Sequence, residues 1–259
     1  MEIAGYFASL FIGISLGMIG GGGSVLTVPI LVYFFRVEPV LATAYSLFIV
    51  GSTSSVGAFQ KWKKREINFK VALIFGLPSL LTVYFIRKFV ITEIPEIIYK
   101  HNDFTIHKGQ LTLILFALLM VSAAIGILKP QKIKRPVLPQ VQGLVLLGVT
   151  VGIVSGLLGA GGGFIIIPAL IFYASMDIKT AVGSSLLIIT LNSLVGFAGD
   201  ITHHQFDWIK LMPITLLGIA GTFLGNWISD KLPGSGIKRI FGLFILLTGI
   251  FILGKELLF

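Results

Sequence analysis

The sequence predicts an all-α polytopic membrane protein made of two inverted repeats, each a glycine-broken helical hairpin followed by three transmembrane helices. Three observations carry this prediction: an apolar excess, an internal repeat at a spacing of 139 residues, and the opposite charge character of equivalent loops. The chain of 259 residues is 55% hydrophobic and only 12% charged, against about 25% charged in soluble domains. Its mean hydropathy is +0.98. At ~20 apolar residues per helical crossing, that length holds at most ~10 spanning or half-spanning segments. No room is left for a soluble catalytic domain. The absence of cysteine excludes disulfides, thiolate nucleophiles and cysteine metal sites. A net charge of +9 would suggest nucleic acid in a soluble protein, but basic residues between apolar runs first set topology, so no nucleic-acid partner is expected. The opening MEIAGYF lacks a basic n-region, so the first segment reads as a retained membrane segment and not a cleaved signal.

Taken in order, the apolar stretches cover about 3–19, 24–35, 39–60, 70–90, 110–128, 140–158, 163–174, 178–199, 208–229 and 237–254. Lipid offers no partner to backbone N–H and C=O groups, and the chain shows no alternating barrel pattern, so these stretches read as helices. The segments beginning near 24 and 163 hold about a dozen apolar residues, roughly 18 Å of helix, too short for a ~30 Å core. Each follows a glycine cluster and reads as a half-helix. Shifting the chain by 139 residues aligns 15 identical pairs between positions 13 and 57 and their mates. They include Gly13/Gly152, Gly17/Gly156, Gly20/Gly159, Gly22/Gly161, Gly23/Gly162, Pro29/Pro168, Ser46/Ser185 and Ser54/Ser193. Chance similarity between greasy helices would scatter Leu, Ile and Val matches, whereas glycines and a proline in register indicate duplication. The expected organisation is a first repeat over 1–128, a basic cytoplasmic linker over 129–139 and a second repeat over 140–259.

Orientation follows from the basic residues. Lys61, Lys63, Lys64, Arg65 and Lys70 after the third segment, and Lys129, Lys132, Lys134 and Arg135 in the linker, mark cytoplasmic loops. Lys231, Lys238 and Arg239 put the loop before the last helix on the same side. The loop holding Asp200, His203, His204 and Asp207 is then external, although its repeat mate, 61–70, is internal. The repeats are therefore expected to be inverted, with both termini outside and 88–108 forming an external surface excursion.

Chemistry concentrates at the glycine clusters, Gly20, Gly21, Gly22, Gly23 and Ser24 in the first repeat and Gly159, Ala160, Gly161, Gly162 and Gly163 in the second. Glycine runs break a helix and let backbone approach a neighbour or ligand without Cβ interference. Inverted-repeat transporters use such breaks to aim half-helix N-termini at an anion near the midplane. Close helix packing is the alternative role for small residues and is the preferred reading for Gly13, Gly17, Gly152 and Gly156. No G-x-x-x-x-G-K-[ST] motif occurs, so the clusters are not phosphate loops.

The following helices carry Thr43, Ser46, Ser52, Thr53, Ser54 and Ser55, then Ser184, Ser185, Thr190, Asn192 and Ser193. Hydroxyls can donate to an oxyanion without burying a cation. They can equally bond their own i−4 carbonyls or a neighbouring helix. The repeat-matched Ser46, Ser185, Ser54 and Ser193, with Asn192, are the candidate substrate contacts. Asn68-Phe69 and Asp207-Trp208 read as N-caps with interfacial aromatics. Arg36, Lys61, Arg87, Asp200 and Asp230 fall at segment ends, where snorkelling or loop placement is the default. Lys61 and Asp200 occupy equivalent places and are weaker candidates for gating or proton coupling. His101, His107, His203 and His204 read as exposed loop residues. No H-E-x-x-H, G-x-S-x-G or membrane-depth carboxylate pair is present, so no metal site, cofactor or catalytic residue is expected.

With these residues in view, the chain resembles the sulfite exporter TauE/SafE family of membrane transporters. The resemblance rests on GMIGGGGSVLTVPIL with its echo GLLGAGGGFIIIPAL, on AVGSSLLIITLNSLVGFAGD and on GNWISDKLPGSGIKRIFGLFILLTG. It implies export of sulfite, sulfoacetate or a related sulfur-containing anion, with uptake in some members, and it implies a substrate site at 20–24 and 159–163. Many members carry a histidine where this chain has Lys61. The resulting expectation is a multi-pass cell-membrane secondary transporter exporting a small sulfur oxyanion. Its expected partners are the anion, the lipid bilayer and, in a homodimer, a second copy. An anion channel, an importer, and a membrane-embedded enzyme or structural subunit are the alternatives.

Overall fold

The computed structural model describes residues 2–101, 104–128, 140–229, 231 and 234–258. The basic linker 129–139, Asp230 and the side chains of Lys238 and Arg239 lie outside the described residues. The first half comprises α1 (Glu2–Ile19), a 3-10 turn (Gly22–Leu26) leading into α2 (Thr27–Tyr33), α3 (Pro39–Lys63), α4 (Phe69–Phe85) and α5 (Lys108–Leu128). The second comprises α6 (Gln140–Leu158), α7 (Gly163–Ala174), α8 (Ile178–Asp200), α9 (Trp208–Ser229) and α10 (Gly234–Leu258). Six helices among the described residues are long and apolar enough to cross a membrane, while Ile3–Ile19, Gly23–Tyr33 and Ile165–Ala174 are shorter apolar helices. The chain is an all-α, multi-pass membrane protein.

Local sequence explains the boundaries. Glu38 accepts from the N–H groups of Val40 and Leu41 with Pro39 at the first helical position, which starts α3. Asn68 caps α4 through the Val71 N–H, and Asp207 caps α9 through Ile209 and Lys210. Beyond Phe85, α4 runs into a π turn (Ile86–Val90) and a last helical turn (Ile91–Glu93). The stretch 88–108 also holds a two-stranded hairpin, Ile97–His101 against Phe104–His107.

The glycine clusters turn the chain back on itself. Gly23 lies against Ser15, Leu16 and Ile12, and Gly5 against Phe35, so α1 and the segment through α2 form an antiparallel hairpin. Gly162 lies against Val151 and Ser155, and Gly143 against Tyr173, which makes α6 and α7 its counterpart.

Around these hairpins the helices pair in exchangeable sets: α1 packs on α9 and α6 on α4, while α3 packs on α8 and α5 on α10. Gly13 and Gly17 of α1 abut Gly218, Thr222 and Asn226, with the two helices parallel. Gly148 and Gly152 of α6 abut Phe75 and Ser79 in the same parallel sense. By contrast, Gly51 meets Leu194 and Gly57 meets Leu186, so α3 and α8 run antiparallel. Gln110 donates to the Glu256 carbonyl at 2.9 Å and Gly249 lies on Met120, which makes α5 and α10 antiparallel too.

Candidate functional site

The two hairpin tips meet. Gly21 and Gly163 are in backbone contact so close that a Cβ on either would overlap the other. Four glycines at the tips, Gly20, Gly159, Gly161 and Gly162, have φ between 65° and 85°, a left-handed conformation that other residues adopt only with strain. Left-handed Gly162 starts α7 at Gly163 without a side-chain cap, and its carbonyl accepts from the Ile165 and Ile166 N–H groups. A helix start of this kind carries partial positive charge.

Most of the candidate hydroxyls already donate to backbone carbonyls. Ser24 donates to Gly21 at 2.8 Å, Ser185 to Val182 at 2.8 Å and Ser54 to Val50 at 2.5 Å. Ser46 donates across the bundle to the Gly159 carbonyl at 2.8 Å, tying α3 to the second tip. A hydroxyl has one proton, so these serines turn lone pairs to any ligand unless the bond switches. Thr190 reaches Ser54 at 3.1 Å across the α3–α8 seam. Ser193 differs: its Oγ is fully buried, has no partner and sits 3.2 Å from where a Cβ on Gly161 would stand, beside Ile189 and Val50. Asn192 donates to Ser79 at 2.7 Å and leaves its carbonyl oxygen unpaired.

Three of the ionisable residues, Arg87, Asp200 and Lys61, depart from their expected snorkelling or loop placement. Arg87, at 0% exposure, and Asp200, at 1%, form a buried ion pair at 2.9 Å. The Arg87 Nη1 also donates to Thr43 Oγ1 at 3.0 Å. The π turn widens the helix at this point and carries Arg87 into the bundle. The physical reason for the departure is that the long guanidinium arm finds a carboxylate at the end of α8, so neither charge must reach water. Lys61 is likewise buried, at 6%, and pairs with Glu66 at 2.8 Å. Arg36 remains exposed with a left-handed backbone. His203 and His204 follow the end of α8, their N–H groups bonded to the Asp200 carbonyl.

These contacts sort the candidates into a centre and two ends. Gly21, Gly161, Gly163 and Ser193 converge at the tips, and Ser54 bonds Thr190 in the α3–α8 seam. Gly159 lies toward Thr43 and Arg87, whereas Gly20 lies by Val182 and Ile167. Lys61 packs against Gly183, near the start of α8, while Asp200 is at its end. The 17 helical steps between Gly183 and Asp200 place them about 25 Å apart along the bundle. Arg87 is the residue that sequence reasoning missed. Its pseudo-equivalent under the 139-residue shift is Asn226, which donates to Gln60 at 2.6 Å. A signal was present in the sequence: Arg87 and Asn226 hold matching places in their repeats, as do Asp200 and Lys61, but no pattern in the chain gives the pairing between Arg87 and Asp200.

Six helices long and apolar enough to cross a membrane, packed around two glycine-tipped hairpins that meet beside the buried Ser193 hydroxyl, define a multi-pass membrane protein. The chain belongs to the sulfite exporter TauE/SafE family, whose model matches residues 6–252. It is 30% identical to a probable membrane transporter protein of Xylella fastidiosa, over 95% of this chain and 92% of that one. A probable membrane transporter protein of Methanocaldococcus jannaschii is also 30% identical, over 91% of this chain and 92% of its own length. One from Bacillus subtilis is 24% identical over 93% and 96%. No solved structure gives a significant match.

Proposed function

We propose that the protein exports a small sulfur-containing oxyanion, sulfite or an organosulfonate such as sulfoacetate, as a secondary transporter that holds its substrate between the two glycine tips. The observation that carries this reading is the contact of Gly21 with Gly163 beside the unpartnered hydroxyl of Ser193. An anion there meets the start of α7, backbone free of Cβ atoms and a hydroxyl able to turn toward it. The family description supports the sulfur anion. Export of an anion from a negative interior is driven by about 2.3 kcal/mol per charge per 100 mV, so it needs little additional coupling.

The antiparallel course of α3 against its repeat mate α8, and of α5 against α10, supports two repeats of opposite orientation. In that arrangement Lys61 with Glu66 and Asp200 with Arg87 stand at opposite entrances, where each pair would close one side. The purified protein reconstituted in liposomes loaded with sulfite, sulfoacetate, thiosulfate or sulfate tests this. Saturable efflux of a sulfur anion at carrier rates is the expected outcome. Conductance at channel rates, or no flux of any of the four, would overturn it.

A further inference from the structure

Arg87 is the largest fully buried side chain among the described residues. Its Nη1 meets Asp200 and Thr43, which uses both hydrogens on that nitrogen. The Nε and Nη2 atoms, which carry the other three N–H groups, are buried with no acceptor. A guanidinium and a carboxylate that serve only to tie helices together can pair side by side through two parallel bonds. Here the carboxylate takes the end nitrogen and leaves the two-nitrogen edge unused, although orphaned charged donors are expensive to bury. That edge adjoins the second glycine tip: a Cβ on Gly159 would lie 2.9 Å from Nη2. Gly159 has φ +68° and its carbonyl is held by Ser46.

From this geometry we propose that the Nε–Nη2 edge of Arg87 is a charged receptor at the Asp200 entrance, taking two oxygens of the transported anion side-on as it passes to or from the glycine tips, with Asp200 and Thr43 as the positioning residues that fix the guanidinium plane. The proposal rests on the reading of the protein as an oxyanion carrier. A planar fork of two donors matches two oxygens on one sulfur or phosphorus centre, and glycine at 159 keeps side-chain bulk from the approach. The site is one-sided. At the repeat-equivalent place Asn226 is neutral and already bonded to Gln60, so that position holds no guanidinium fork. The bundle would therefore hold the anion more firmly at the Arg87 end.

The test uses full-length protein with arginine Nε labelled by 15N, whose side chains are Arg36, Arg65, Arg87, Arg135 and Arg239. Arg87→Lys identifies the Arg87 signal and keeps the charge beside Asp200 while removing the fork. Sodium sulfite is titrated under argon, with sulfoacetate and thiosulfate in parallel and chloride as the ionic-strength control. The expected result is a saturable downfield shift of the Arg87 Nε proton alone, and a loss of sulfite affinity of about tenfold or more in Arg87→Lys. If sulfite raises the melting temperature of the unsubstituted protein while the Arg87 signal stays in place, the anion binds elsewhere and only this assignment falls. Undiminished sulfite affinity in a folded Arg87→Lys protein would overturn it too. If none of the three sulfur anions changes either the spectrum or the melting temperature, the carrier reading falls with it. Should Arg87→Lys fail to fold, Arg87→Gln assigns the signal, and the titration of the unsubstituted protein still decides.

Discussion

Ser193 is the side chain at which a structural role and a binding role part most cleanly. A buried hydroxyl without a partner destabilises the fold, by about 1–3 kcal/mol when nothing compensates it. Ser193→Ala is therefore expected to leave thermal stability in detergent unchanged or slightly raised. If Ser193 faces the anion, the same variant weakens sulfite binding by about 0.5–1.5 kcal/mol, read by titration calorimetry. Lowered stability with unchanged binding would place the residue in packing alone. The Arg87–Asp200 pair gives a second contrast. Asp200→Ala strands a buried guanidinium and is expected to cost about 3–5 kcal/mol, whereas Arg87→Met with Asp200→Leu removes both charges and should restore much of that loss. Melting temperatures of the single and double variants check this. Leucine at Gly161 would not separate a binding role from a structural one, because φ is +65° there and any side chain is strained whatever its function.

At the scale of helices and turns, the legible features were those encoded by local pattern. Apolar length set the helices, Asn68 and Asp207 announced their caps, and the glycine clusters announced the breaks. The 139-residue shift pairs each helix from α1 to α4 with one from α6 to α9. What could not be read was long-range. The π turn that turns Arg87 inward has no sequence signature, and the bond from Ser46 to the Gly159 carbonyl joins residues 113 positions apart. Hydroxyl positions were legible, but not whether each proton was already spent on its own helix. The α1–α9 seam was half legible: the packing role of Gly13 and Gly17 follows from their spacing, but Gly218, Gly221 and Gly225 emerge as their partners only in three dimensions. Gly17→Leu would drive its side chain into the backbone of residues 222–226, so it is expected to reduce the yield of monodisperse protein sharply. Size-exclusion chromatography of the extracted protein measures that. Normal yield and elution would mean that the two helices can separate without loss of the fold.

Across the whole molecule, the argument turns on direction. The helices α3 and α8 pack antiparallel, as do α5 and α10, and in the inverted arrangement proposed above the two halves would be related by an axis lying across the helices and not along them. Placed in a bilayer with spanning helices upright, that axis lies in the membrane plane, and a feature at one face in the first repeat appears at the other face in the second. The basic run from Lys61 to Lys70 should then be cytoplasmic and the turn after Asp200 external, as the positive-inside rule requires. The absence of native cysteine makes this directly testable. Lys64 and His203 are both exposed, so Lys64→Cys and His203→Cys each present a thiol outside the helix core. In intact cells an impermeant maleimide is expected to label His203→Cys alone, and after permeabilisation to label both. Labelling of Lys64→Cys at the same rate in intact cells would put both loops on one face. Antiparallel packing of α3 on α8 would then be a feature of the bundle without being a feature of its membrane topology, and two opposed entrances would have no basis.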